Sequence, residues 1–170
     1  MKQILIITTL FLSATFSTYI SFGQTYFELP QNIELKTKED YANSETTLVN
    51  AARWLEETDL DREADKRQKV NAFVIQWISG TPTVNVEITE PLGKIYGKNV
   101  QLLGLYLASY ARNIIENKST SNKFTATKSG LISIMNVYKK GIQIIKSKEM
   151  DKIIKMTDSE LDNYIDKKFK

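Results

Sequence analysis

Apolar positions Tyr41, Leu48, Ala52 and Leu55 fall at offsets 0, 7, 11 and 14, which is one helical stripe. Thr37 is a fitting N-cap, and Glu39 and Asp40 stand where the helix dipole favours anions, so a first helix is predicted from Thr37 to near Glu57. A second stripe (Val70, Phe73, Val74, Trp77 and Ile78) predicts a helix from near Asp59 or Asp61 to Gly80, ahead of Pro82. Continued one turn toward the N-terminus, that stripe meets Glu63, Lys66 and Arg67. The first half of this helix is therefore expected against water, with Glu63–Arg67 and Asp65–Lys69 as (i, i+4) pairs.

The period changes after Gly80. Val84, Val86 and Ile88 alternate with Asn85, Glu87 and Thr89 between Pro82 and Pro91, the pattern of a half-buried extended segment near residues 83–89. A lone strand cannot satisfy its own backbone: it must pair, lie with its edge in water, or recruit a partner. Tyr26 to Leu29 is the obvious local candidate for pairing. A third helix is predicted over Lys98–Asn117, with an apolar face (Leu103, Tyr106, Leu107, Tyr110, Ala111, Ile114, Ile115) too broad for a single neighbour. It should be central, with Gly104 and Ala108 admitting a close approach. Residues 118–123 read as a loop. A fourth helix should run to about Lys146 along Leu131, Ile134, Met135, Tyr138, Ile142 and Ile145, weakened by Gly130 and Gly141 inside it. Two short helices close the chain, the first capped by Ser147 and the second opened by the capping box Thr157-Asp158-Ser159-Glu160, with Leu161, Tyr164 and Ile165 inward. The fold class this predicts is all-α, one compact bundle of about four main helices plus two short C-terminal ones.

Ahead of these elements the pattern is that of a leader. Lys2 is the only charge before Glu28, and it precedes Ile4–Ile7, Leu10–Leu12 and the small-residue exit Ser21-Phe22-Gly23. We expect residues 1–23 to be a cleaved signal peptide, with export to the periplasm or beyond the cell and no stable membrane anchor afterwards. Residues 24–36, interrupted by Pro30, read as an extended N-terminal arm, and 37–170 as the helical domain.

Composition adds exclusions. The 170 residues contain no histidine and no cysteine, which removes Ser-His-Asp and Cys-His catalysis, zinc hydrolase sites, disulfides and iron–sulfur clusters. No serine is followed three positions later by lysine, so the Ser-x-x-Lys signature is missing too. Removing residues 1–23 takes one lysine from 23 basic and 20 acidic residues, leaving a charge of +2. So even a balance does not suggest nucleic acid. No cofactor and no metal are expected.

Several constellations invite chemistry. The alternating acids from Glu56 to Asp65 resemble a calcium loop, but counted from Asp59 the sixth position is Ala64 and the twelfth is Val70, where glycine and glutamate are required. An acidic helix start explains them better. Gly93-Lys94 and Gly97-Lys98 lack the spacing and the hydroxyl of a phosphate loop. Trp54, Trp77, Tyr106 and Tyr110 could stack a ligand, yet at helical spacing they read as core. Lys139–Lys170 carries nine lysines against six acids, a solvated face rather than a membrane-binding one.

The stretch Asn71–Val84 (Asn-Ala-Phe-Val-Ile-Gln-Trp-Ile-Ser-Gly-Thr-Pro-Thr-Val) resembles a pattern in small exported bacterial proteins for which no activity is established. So does Leu103–Ala111 (Leu-Gly-Leu-Tyr-Leu-Ala-Ser-Tyr-Ala) followed by Glu116-Asn117. The likeness spans about residues 45–165 and implies a self-contained exported helical domain, with no catalytic residues to carry over. The functional expectation is a non-enzymatic module binding a protein or cell-envelope component. Its docking positions would be Val84, Val86 and Ile88 together with Glu63, Lys66 and Arg67. Two alternatives stay open: a carboxylate-dependent hydrolase of an envelope polymer, and a carrier of a small apolar ligand around Tyr106 and Tyr110.

Overall fold

The computed structural model describes Tyr26–Phe169, so the expected leader and the first residues of the arm lie outside the described residues. Eight helices and no strand occur among them: α1 (Lys38–Asn43), α2 (Glu45–Glu57), α3 (Ala64–Gly80), α4 (Glu90–Tyr96), α5 (Gln101–Glu116), α6 (Lys123–Lys140), α7 (Lys148–Ile153) and α8 (Asp158–Lys168). The four long ones (α2, α3, α5 and α6) make the bundle, and α5 lies at its centre against α2, α3 and α6. All of the buried apolar side chains among the described residues except Val49 form one continuous cluster.

The predicted first helix is split in two. Ser44 Oγ donates to the carbonyls of Asp40 (2.8 Å) and Tyr41 (3.0 Å) and accepts from the Trp77 indole (2.9 Å). Local hydroxyl-to-backbone bonds compete with the helical ladder, and a buried indole holds this competitor in place. Upstream, Thr37 caps α1 as expected, and Asp40 completes a capping box with it.

The second helix begins at Ala64, not at Asp59 or Asp61. Residues 58–63 turn instead, with Glu63 left-handed at φ 48°, and the reason is Arg67. Its guanidinium is buried and reaches back to the end of α2, donating to the carbonyls of Leu55 (3.3 Å), Thr58 (2.5 Å) and Asp59 (3.2 Å). A cation at a helix C-terminus satisfies carbonyls that have no intrahelical donor and complements the dipole. Thus Arg67 clips α2 to α3, and the expectation that it faces water is corrected.

Past Gly80 the chain leaves helix through residue 89, with Val84 buried, Val86 half-buried and Ile88 exposed. Among the described residues it pairs with no other segment in a ladder; the described part of the arm lies elsewhere, with Phe27 against Trp54 (ring centroids 6.3 Å apart). Helix resumes at Glu90, where none was expected before Lys98, because the Thr89 hydroxyl caps Leu92 and Pro91 sits in the first turn, where its missing N–H costs nothing. Leu92 and Ile95 anchor this helix in the core.

Glycines set two further features. Gly130 lies within α6 where the Tyr106 ring of α5 crosses, and Gly104 of α5 lies against the Asn71 side chain of α3. Gly141 does not sit inside α6. At φ 72° it ends the helix at Lys140, six residues short of the expected Lys146. The following turn is held by buried Asn99, whose amide donates to the Ile145 carbonyl (2.7 Å) and accepts from the Ile145 N–H (2.7 Å). Ser147 caps α7, and the Thr157–Glu160 box opens α8, with Leu161, Tyr164 and Ile165 buried, as predicted.

Candidate functional site

The six expected docking positions fall in two places. Glu63, Lys66 and Arg67 lie at the start of α3, whereas Val84, Val86 and Ile88 lie beside its end. From Arg67 to Ile78 the helix alone rises about 16 Å, at about 1.5 Å per residue. One partner contacting both groups would have to span α3 lengthwise.

The first group serves the fold. Lys66 Nζ pairs with Glu28 (3.1 Å) and Glu63 (3.2 Å) and stands 4.9 Å from the Trp54 ring centre. Burial pulls the Lys66 pKa down, but its bonds to Glu28 and Glu63 outweigh that and leave it raised. Arg67 stands 5.3 Å from the same ring, and burial lowers its pKa against the opposing pull of Asp59 and Glu63. Together these residues seat the arm and clip α2.

The second group borders a groove. Residues Val84–Ile88, the C-terminal half of α3 (Ile75, Ile78, Ser79) and α5 (Leu103, Leu107) enclose about 400 Å³ with a mostly apolar wall. Ile75 and Ile88, 49% and 58% exposed, leave its rim uncovered. Between Pro82 and Ile88 the backbone has two hydrogen bonds among the described residues. The Thr83 N–H reaches the Thr81 hydroxyl (3.3 Å), and the Asn85 carbonyl accepts from Tyr110 (3.0 Å). Buried Tyr110 thus holds the segment's main chain at Asn85, while buried Val84 and the Glu87–Lys123 ion pair (3.1 Å) hold its side chains, and the other main-chain groups between Val84 and Ile88 have no partner among the described residues. Ile75 was missed in the sequence because it lies off the α3 stripe; an isoleucine on the polar face was the available signal.

Beyond Ile75 the surface opens into a second cleft of about 560 Å³, between α3, α5 and the turn after α6. Its lining joins Leu60, Ala64, Ala72 and Ile75 with the polar side chains of Arg67, Gln68, Asn71, Gln101 and Gln143. No carboxylate is among these. Gln143 is held at φ 49°, and Gln101 donates to its carbonyl (3.4 Å).

Three carboxylates in other depressions are committed to the fold. Glu160 accepts from the Thr157 N–H (2.8 Å) and hydroxyl (2.9 Å), Asp40 from the N–H groups of Thr37 (2.8 Å) and Lys36 (3.0 Å), and Asp151 from the Tyr138 hydroxyl (2.7 Å). The backbone bonds hold the pKa values of Asp40 and Glu160 below the ordinary carboxylate range. A general acid for glycoside cleavage needs the opposite shift. Among the described residues no cluster of three or more acids could hold a metal ion, and no helix is long and apolar enough to cross a membrane. Tyr106 and Tyr110 are buried in α5, with ring centroids 6.1 Å apart and Tyr106 pressed against Gly130. Family models, curated proteins and solved structures provide no match to this chain, so its chemistry is read from its own residues alone.

Proposed function

We propose that the protein is an exported, non-enzymatic binding module that takes an extended apolar segment of a partner protein into the groove between α3, α5 and residues 82–88. The observation that carries this reading is an open main chain beside an uncovered apolar trough. An added strand gains affinity from main-chain hydrogen bonds and specificity from pockets that take alternate side chains, and Val84–Ile88 with Ile75, Ile78, Leu103 and Leu107 offers both. The chain has neither histidine nor cysteine, and the carboxylates Asp40, Asp151 and Glu160 are engaged in caps and a tyrosine bond; both facts favour binding over hydrolysis. Burial of Tyr106 and Tyr110 in the core favours it over a ligand enclosed around them.

The test is selection of apolar peptides on the purified protein, followed by backbone amide exchange with the selected peptide bound. Protection should appear at residues 83–88. Val86→Pro removes an N–H that has no partner among the described residues, so it should cost about tenfold or more in peptide affinity while the melting temperature holds. Equal affinity for both proteins would sink this docking site. Export is checked separately by the N-terminus of the protein recovered from the cell envelope or medium, expected at Gln24.

A further inference from the structure

The second cleft has a chemistry of its own. Arg67 is 95% buried and makes no salt bridge among the described residues, its guanidinium being held by carbonyls and an indole face. Its Nε–H, like the Asn71 Oδ1 of the same lining, is buried with no hydrogen-bond partner among the described residues. The two acids nearest in charge, Asp59 and Glu63, are each paired with a lysine, Lys140 (3.0 Å) and Lys66 (3.2 Å). Asp59 and Glu63 thus act on the Arg67 charge only from a distance, and no carboxylate forms an ion pair with its guanidinium among the described residues. In front of it, Gln68, Gln101 and Gln143 offer uncharged amide donors, and Leu60 and Ile75 form an aliphatic wall. A cation would face the Arg67 charge with no carboxylate in the lining to offset it, and a fully apolar ligand would strip water from three amides. An anion finds amide donors, the nearby guanidinium and no carboxylate in the lining.

We infer that this cleft, which the proposed peptide groove does not require, binds a small organic carboxylate bearing an aliphatic group. The carboxylate would accept from the glutamine amides near Arg67, with the aliphatic group against Leu60 and Ile75. The cleft's volume suits a ligand of amino-acid to dipeptide size. Either a free branched acid or the C-terminal residue of a peptide supplies this chemistry.

Titration of the ¹⁵N-labelled protein with N-acetyl-leucine, N-acetyl-leucinamide and 4-methylpentanoate tests the site. N-acetyl-leucine should shift the Gln68, Gln101 and Gln143 side-chain signals saturably, with a Kd on the order of 1 mM. Its amide should bind at least about tenfold more weakly, and Gln68→Glu should weaken the acid by about tenfold, because a like charge then faces it. Gln68 is exposed, so that variant should fold; if its melting temperature moves, Gln143→Glu on the exposed turn takes its place. Tighter binding of N-acetyl-leucine than of 4-methylpentanoate assigns the carboxylate to a peptide end, the reverse order assigns it to a free acid, and both support the site. Equal affinity for acid and amide, an unaffected glutamate variant, or no saturable shift below about 20 mM overturns it. Exchange protection at 83–88 is read independently, so this site and the peptide groove can fail separately.

Discussion

Gly130 stands where the Tyr106 ring and carbonyl cross α6, and a Cβ there would come within 2.7 Å of the ring and 3.0 Å of the carbonyl oxygen. Neither neighbour is the free end of a flexible chain. Gly130→Ala should therefore destabilise by about 1–3 kcal/mol, reversing the ~1 kcal/mol gain that alanine brings to an ordinary helix interior. Gly93 in α4 meets nothing within 4 Å, so Gly93→Ala should be neutral or stabilising by up to about 1 kcal/mol. Urea denaturation of the two variants side by side checks both signs. The sequence shows two glycines in or beside a predicted helix and no way to tell them apart. Only the neighbours reveal that Gly130 makes room for a ring while Gly141 ends the helix.

At the scale of elements, the α2–α3 corner depends on one side chain. Arg67→Met keeps the stem but leaves the carbonyls of Leu55 and Thr58 without their donor, and the loss should be roughly 2–4 kcal/mol in chemical denaturation. A loss below about 0.5 kcal/mol, the usual size of a surface substitution, would contradict the clip. This corner also shows where periodicity stops being informative. The stripes of α3 and α5, the caps at Thr37, Ser147 and Thr157, and the non-helical interval near 83–89 all follow from spacing and local hydrogen bonding. Arg67 reads as a solvated face because periodicity counts polarity, while the carbonyls it satisfies lie 8 to 12 residues earlier in the chain. Ser44 misleads for the same reason, since its decisive partner is Trp77. Half of the candidate groove, Val84 to Ile88, was legible as an alternation. The other half, Ile75 with Leu103 and Leu107, depends on how α3 and α5 cross.

For the molecule as a whole, the central helix sets an alkaline limit. Burial pushes the Tyr106 hydroxyl from 10.0 up to about 12, with its bond to Thr127 pulling weakly the other way. The folded state thus holds this proton more tightly than the unfolded chain does. The stability it contributes is full below pH 10 and is lost as the pH climbs toward 12. Burial raises the pKa values of Tyr110, Tyr138 and Tyr164 as well, so each adds to the stability lost at alkaline pH. Absorbance of tyrosinate and helical circular dichroism should change together between about pH 10 and 12, and Tyr106→Phe should retain more helix at the upper end. Ionisation of every tyrosine with the helical signal intact would contradict the packing at α5. The two indoles, finally, give the protein its own optical reporters. Trp54 has the arm's Phe27 and two cations around it, and Trp77 donates into the Ser44 corner. With Trp77→Phe, fluorescence would follow the peeling of the N-terminal arm; with Trp54→Phe, it would follow the opening of the α1–α2 bend, so the two ends of α3 could be watched one at a time without an added dye.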